Sequence, residues 1–508
     1  MQGAGARREI VLNRYKSLLK NTGLVSLGTF GSKLLPFILM RLYTAKLSGG
    51  DYNTADIITQ TARLLIPLAA VGLTEGFFRL AMQKHENEKK QVFTAGFLIF
   101  GAGYAALLPL LLIAFIVMAV TGFEFSQYMW LIGVYILTSC LHSLLTQYIR
   151  TKDHFAFFSV QGVINTLLVA VFNILFVVFG CFNVTTYVLS VILADLIVSV
   201  IVFLWEKLWR DLVPPKQIDR EIYRTMVRYS APLIPMAVSW WVTSVSDRYM
   251  VRGFVEDPNV SDYYSAAYKF PTLVTLLCSV FSQAWNYSSV VEDDEKERSK
   301  FFSKVFAFYF CLLFVAASFI IAFSKLISIV MLDPSYYTSW SYIPLLAGAT
   351  VFSSLVTFLG SVYTVRMKSV FSMWTAILGA VLNIILNLLL IPDKIGSVRL
   401  AGWGATGAAV ATLISYAAVF LVRAVTAKHY VKFKLRPLIL GINSLLLLGQ
   451  ITVMTLSDRM SPFLWIPLQV LFVAAFLYLD GRIIWKRVSK ILYDKGLLKK
   501  KDHTNDNA

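Results

Sequence analysis

Runs of about 20 predominantly apolar residues recur from one end of this chain to the other, each long enough to cross the hydrocarbon core of a bilayer. In lipid, every backbone N–H and C=O must be satisfied internally, which leaves helices and closed barrels as spanning structures. The runs are continuous rather than alternating, so they predict helices. Of the 508 residues, 57% are hydrophobic and only 15% charged, against about 25% charged in a soluble domain. A polytopic, all-α membrane protein is expected, with no segment between spans long enough to fold as a soluble domain. The basic N-terminus leads into an apolar run that continues past Lys33 as a full span, so no cleavable signal peptide is expected.

Fourteen spans are expected, near 22–44, 53–80, 93–120, 127–149, 156–181, 185–206, 229–252, 262–288, 304–328, 339–363, 371–392, 403–424, 437–456 and 463–482. Orientation follows from the placement of Lys and Arg. Segments on one side hold 35 of the 47, whereas the loops on the other hold about six: Lys46, Arg252, Lys325, Lys394, Arg399 and Arg459. That alternation predicts an even number of spans with both termini cytoplasmic, in an inner or plasma membrane. It also accounts for the formal net charge of +18 without nucleic acid. Cys140, Cys181, Cys278 and Cys311 show no metal or redox spacing and read as small apolar residues within helices.

The longest loop, 207–228, divides the chain into an N-lobe (1–206, spans one to six) and a C-lobe (229–424, spans seven to twelve). Residues 437–482 form an appended pair of spans, and 483–508 a basic cytoplasmic tail suited to membrane lipids. Within the loop, IDREIYRTMVRYS predicts an interfacial helix. DYNTAD at 51–56 echoes DYYSAA at 262–267, and asparagines recur in the fifth span of each half (Asn165 and Asn173; Asn383 and Asn387). Both halves begin in the cytoplasm, so the repeats are expected to be parallel, related by an axis along the membrane normal.

Lys33, Arg63, Arg248 and Lys269 lie inside spans. A charge at the bilayer centre costs roughly 2.5–3.5 kcal/mol on insertion scales, so such residues face a bundle interior or a wet cavity. Several cations from different helices predict a cavity built for an anion. Lys33 is followed by Pro36, which kinks a helix, and by Arg41 near the outer end. Asp56, Gln60, Arg63 and Pro67 make one polar face of the second span. Glu75 and Arg79, four apart, read as a pair near the cytoplasmic end. The seventh span carries Ser239, Thr243, Ser246 and the adjacent Asp247–Arg248, which point about 100° apart, so that one can face the cavity while the other meets another helix. Asp195, in mid-span, reads as a counter-ion or an ion-coupling carboxylate, as do Asp247 and Glu75. The asparagines read chiefly as interhelical cross-links, and Gly404, Ala408 and Thr412 as a stripe for close helix packing. No P-loop, HExxH, GxSxG or metal-binding acid cluster is present, so neither covalent chemistry nor a cofactor is expected.

YSAPLIPMAVSWWVTSVSDRYMV, YYSAAYKFP, IPLLAGATVF and NIILNLLLIPDKIGSVRLAGWGATGAAVATLISY resemble the polysaccharide-biosynthesis flippases. These form the Wzx-like branch of the superfamily that also holds the MATE multidrug antiporters and the lipid II flippases. The resemblance covers at least spans one to twelve and implies a V-shaped, two-lobed bundle with a cation-lined cavity and alternating access. The implied substrate is a polyprenyl-pyrophosphate-linked oligosaccharide, with Na+ or H+ as a coupling ion and a glycan polymerase or glycosyltransferases as partners. Pyrophosphate is an anion that embedded Arg and Lys would attract. Mapped here, the substrate-binding cations are Lys33, Arg63, Arg248 and Lys269, with Arg41 at the outer end. The alternatives are lipid II flipping, MATE-type export of cationic drugs, which would require a surplus of cavity carboxylates, and a non-transporting scaffold for cell-wall synthesis.

Overall fold

The computed structural model describes residues 37–73, 77, 81, 86–275, 295–365, 369–430, 435–485 and 489, apart from 48–49, 123, 153 and 232. Lys33, Pro36, Glu75, Arg79, Pro232 and Cys278 fall outside them. The described chain is helical almost throughout. Ten of its helices are long and apolar enough to cross a membrane, which makes this a multi-pass membrane protein. The chain divides into two compact units. One comprises Met1–Ala266, Ile329–Tyr337 and Ser372–Thr412; the other comprises Ala267–Ser328, Thr338–Phe371 and Leu413–Ala508.

The first unit contains α1 (Met40–Lys46), α2 (Asp51–Ala69), α3 (Glu86–Val120), α4 (Met129–Thr151), α5 (Phe155–Val178), α6 (Val184–Trp205), α7 (Arg220–Ser230), α8 (Leu233–Phe254) and α9 (Pro258–Ala267). To these it adds most of α13 (Ser369–Leu390) and the start of α14 (Gly404–Tyr430), joined by the antiparallel pair β1 (Lys394–Ile395) and β2 (Val398–Arg399). So α8 and α13, assigned by chain order to a C-lobe, share a compact unit with α2–α6. Here α6 lies against α4 and α5, and α2 lies between α4 and α8. Outward-facing leucines, isoleucines and valines on α3, α5 and α6 are exposed, as lipid contact requires.

The second expected span, 53–80, is interrupted. Helix α2 ends at Ala69, two residues after Pro67, and Val71 and Gly72 both adopt positive φ, 50° and 71°. A methyl group on Gly72 would meet the Ser230 carbonyl oxygen at 2.3 Å, so the end of α7 approaches where only glycine leaves room. The predicted interfacial helix is α7. Asp219 caps it by accepting from the Glu221 N–H at 2.9 Å. Its Ile222 and Met226 enter a hydrophobic cluster with Phe77, Phe93 and Tyr148, while Arg220, Arg224 and Arg228 stay exposed. Near the start of α14 the close approach is at Gly407, beside the stripe of Gly404, Ala408 and Thr412: a Cβ on Gly407 would meet the Leu390 carbonyl oxygen at 2.5 Å.

At the opposite end, α2 begins at Gly50, whose φ is 94° and which has no side chain to cap the helix. Asp262 of α9 supplies the cap instead. Its carboxylate accepts from the N–H of Gly50 at 2.9 Å and of Asn53 at 2.7 Å, and from the Tyr336 hydroxyl at 3.1 Å. Asn53 answers with a side-chain N–H to Ser265 Oγ at 2.8 Å. A carboxylate at a helix N-terminus meets both the unpaired amides and the positive end of the dipole. Asp51, its counterpart in the echo, is exposed.

The second unit holds α10 (Glu295–Ala322), α11 (Ser324–Met331, as far as Ser328), α12 (Ile343–Val365), α15 (Pro437–Thr455), α16 (Pro462–Leu479) and the rest of α14. The expected last pair of spans, 437–456 and 463–482, is α15 and α16. Buried polar groups cross-link this bundle. The Gln450 amide donates to the Ser318 carbonyl and to Gln469 Oε1, both at 3.0 Å, and Asn443 donates to both oxygens of Asp480 at 3.0 and 2.9 Å. In an apolar solvent such bonds are worth about 0.6–2 kcal/mol each.

Candidate functional site: a charged centre on helix α2

Asp56, Gln60 and Arg63 fall on one face of α2, as their spacing predicts. Asp56 is 3% exposed and Gln60 is 8% exposed. The carboxylate of Asp56 meets the guanidinium of Arg248, on α8, at 3.0 Å. Arg248 is itself 5% exposed. Two further contacts seat α8 on α2: Trp241 Nε1–H donates to the Gln60 carbonyl at 2.8 Å, and the Thr61 and Tyr249 hydroxyls lie 2.6 Å apart.

Arg63 is placed differently. Its side chain is exposed, unlike those of Asp56, Gln60 and Arg248, and Tyr135, Asp56 and Tyr187 lie near enough to act on its charge. No ion pair joins Arg63 to a carboxylate among the described residues, whereas Arg248 has Asp56. Arg63 is thus the open positive charge of this centre.

Asp247, the neighbour of Arg248 in the chain, is fully buried. It accepts from the Tyr264 hydroxyl at 2.6 Å, the Thr412 hydroxyl at 3.1 Å and the Arg248 backbone N–H at 2.9 Å. Thr412 leads to Asn383 at 3.3 Å, and Asn383 Oδ1 accepts from Asn387 at 3.1 Å and from Ser246 at 3.2 Å. Asn387 Oδ1 is buried and has no hydrogen-bond donor among the described residues. This cluster draws α8, α9, α13 and α14 onto one carboxylate. It is rich in acceptor oxygens, which is the donor set of a hard cation.

Asp195, on α6, accepts from the Ser139 hydroxyl of α4 at 2.5 Å and from the Asn165 amide of α5 at 2.8 Å. Asn173 donates to the Tyr43 hydroxyl at 3.2 Å, a cross-link of the kind expected. Arg41 is exposed on α1, and its charge falls on Asp333, outside the spans. Asp333 sits below the ordinary carboxylate range chiefly because the Ser335 N–H and hydroxyl hydrogen-bond it; Arg41 adds to this. Lys269 follows α9 in a turn of the second unit. Lys33 and Glu75 lie outside the described residues.

The structure joins Arg248 to Asp56 and leaves Arg63, on the same face of α2 as Asp56, exposed. Chain reading identified both cations but not Asp56 as the residue that distinguishes them. It also passed over Tyr135, Ser139 and His142. Their spacing in YILTSCLHS, i, i+4 and i+7, is the same signal that singled out Asp56, Gln60 and Arg63.

The fold is shared with transporters of known structure. "Lipid II flippase MurJ, inward closed conformation" matches with a TM-score of 0.67 at 14% identity, over 92% of this chain and 99% of that one. An inward-facing multidrug resistance MATE family transporter matches with a TM-score of 0.62 at 12% identity, over 78% and 95%. An outward-facing multidrug resistance MATE family transporter matches at 0.55 and 13%, over 82% and 96%. No curated protein matches the chain in sequence. The family profile described as "Polysaccharide biosynthesis protein" matches residues 18–286, more than half of the chain, and the protein belongs to that family.

Proposed function

We propose that this protein is a flippase that carries a polyprenyl-pyrophosphate-linked oligosaccharide from the cytoplasmic to the outer leaflet by alternating access. It acts in the inner or plasma membrane with both termini cytoplasmic, and not as an enzyme. The observation that carries this reading is Arg63 on α2: an exposed guanidinium that is not ion-paired among the described residues, on the same helix face as the Asp56 that is already joined to Arg248. An unneutralised cation in a span is costly unless an anion meets it, and a guanidinium suits the bidentate geometry of phosphate oxygens. The family and the fold agree with this reading. Lys33, Arg248, Lys269 and Arg41 are further contacts of the headgroup in the same proposal. The glycan occupies water and the polyprenyl tail stays in lipid.

Transport is coupled to a cation held at Asp247. Thr412 contacts its carboxylate and leads through Asn383 to Ser246 and Asn387, whose Oδ1 is one ready acceptor. Na+ or H+ is the coupling ion in this proposal. Glu75 and Asp195 are the other acidic candidates for coupling.

The fold likeness to a lipid II flippase supports a second reading in which lipid II is the cargo. Translocation in proteoliposomes, with a fluorescent lipid-linked oligosaccharide and lipid II offered separately, distinguishes the two. The proposal expects the oligosaccharide lipid to cross several-fold faster. Preference for lipid II favours the second reading, and movement of neither lipid overturns both.

A further inference from the structure

Helix α15 carries Asn443 and Gln450, and α16 carries Gln469 and, at its C-terminal cap, Asp480; all four are buried. Gln450 and Gln469 close on each other as neutral groups. Gln450 donates to Gln469 Oε1 at 3.0 Å, and Gln469 donates to the Gln450 carbonyl at 3.2 Å. Asp480 does not close in this way. It is 0% exposed, and no ion pair joins it to a cation among the described residues. Arg482, just beyond it in the chain, lies instead over the Tyr478 ring, 4.1 Å from the centroid. One amide serves both carboxyl oxygens: Asn443 Nδ2 donates to Oδ1 at 3.0 Å and to Oδ2 at 2.9 Å. The Oδ1 of that same amide is buried and has no donor among the described residues.

An ionised Asp480 would be a desolvated charge facing one neutral amide, at the negative end of the α16 dipole. One turn earlier, Phe476 stacks on Phe314 of α10 with centroids 6.1 Å apart, so the surroundings are apolar. A single proton answers both deficits. It removes the charge, and it provides the donor that Asn443 Oδ1 lacks: the acid O–H donates to Oδ1 while the amide N–H donates to the remaining carbonyl oxygen. Both atoms belong to one amide, so a rotation of the Asn443 side chain exchanges one pattern for the other. We infer that Asp480 and Asn443 form a proton-binding site in the second unit, in which Asp480 takes up a proton and donates it to Asn443 Oδ1. The proton comes from solvent hydronium: one O–H bond breaks there, one forms on Asp480, and the site passes from one negative charge to none. Exposed Arg482 marks the end of the helix from which it enters. The site is separate from Asp247, Asp195 and Glu75 and does not depend on their role in coupling. Among the described residues, the titratable and charged groups acting on it are Cys311 from α10, which lies near enough to affect Asp480, Arg436 ahead of α15, which affects Cys311, and Tyr478 and Arg482 at the end of α16; α15 itself contributes none. A plain amide–carboxylate cross-link would leave Asp480 charged wherever the fold survives, and that separates the two readings.

Infrared difference spectroscopy of the full chain in detergent, from pH 9 to pH 5, reads the proton directly as a carboxylic acid C=O stretch. Because other acids of the chain titrate too, the informative quantity is wild type minus Asp480→Asn at each pH. That difference should contain one acid band per chain, growing as pH falls and shifting in D2O. Asp480→Glu should move the band rather than remove it, and it carries the assignment alone if Asp480→Asn does not fold, an unmoved band then overturning the site. Asn443→Leu, which removes the amide, should shift the band to the higher frequency of an acid with no hydrogen-bond acceptor. Exchanging K+ for Na+ should leave the band in place. An identical acid region in wild type and Asp480→Asn at every pH would overturn the proton site, and loss of the band on adding Na+ would do the same by assigning the site to that ion. A band that Asn443→Leu leaves unmoved overturns the pairing with Asn443.

Discussion

At the residue scale, Asp56 and Arg248 illustrate what a chain can and cannot reveal. Helical spacing shows which residues share a face, so Asp56 with Gln60 and Arg63 was legible. Spacing does not show which faces meet, so the pairing of Asp56 with Arg248 rather than Arg63 required the structure. That pair is buried, and removing one partner leaves the other charge uncompensated at a cost of about 3–5 kcal/mol. Asp56→Ala should therefore lower the unfolding temperature in detergent by many degrees, whereas Asp56→Leu with Arg248→Met should recover most of the loss; thermal unfolding of purified protein checks both. Asp211 offers a pH-dependent counterpart outside the spans. It lies at the end of the turn after α6, ion-paired with Lys152 and, at 3.2 Å, with Lys90. Burial pushes its carboxyl up, but the hydrogen bonds and charges of the two lysines outweigh this and hold it below the ordinary carboxylate range. A depressed carboxylate stabilises the fold above its unfolded pKa and loses that contribution as pH falls through the lower folded value. Asp211→Asn should thus narrow the stability gap between pH 7 and pH 3, seen as a flatter plot of unfolding temperature against pH.

At the element scale, apolar length located the helices well because lipid demands it. The last two spans agree with α15 and α16 to within a few residues. The failure at 53–80 has a local cause: hydropathy continues through Val71 and Gly72, but the backbone turns there under Pro67 and the close approach of Ser230. Residues 51 and 262 also looked alike in the chain, yet only Asp262 caps a helix, because α2 begins at a glycine that cannot cap itself. Asp262→Ala should cost about 1–2 kcal/mol as a lost cap, more than Asp51→Ala, which removes an exposed carboxylate. Gly50→Ala should be worse still, since a Cβ is strained at φ 94° and relieving that strain would move the N–H that Asp262 caps. Unfolding temperatures of the three variants, ranked in that order, check the account.

At the scale of the whole molecule, the alternation of Lys and Arg predicts sidedness, and α7 offers a place to check it. Lys216 is exposed just ahead of that helix, and a Lys216→Cys variant should react with an impermeant thiol reagent only after the cytoplasmic face is opened; reaction in intact cells would reverse the topology. The six-helix repeat calls for superposition of the two halves by rotation about the membrane normal, with Asp51 on Asp262. Fold and family were legible because apolar lengths and long motifs spread over the chain, whereas the centre depends on which of several embedded cations stays open. The central claim is that Arg63 is that cation. Its most direct measurement is translocation of a lipid-linked oligosaccharide in proteoliposomes by wild type, Arg63→Lys and Arg63→Ala at equal reconstituted amounts. The account predicts that Arg63→Ala loses translocation by at least about tenfold, as expected for one lost charge-assisted contact of about 1.5–3 kcal/mol, while Arg63→Lys keeps a measurable part. Wild-type rates in Arg63→Ala would contradict it.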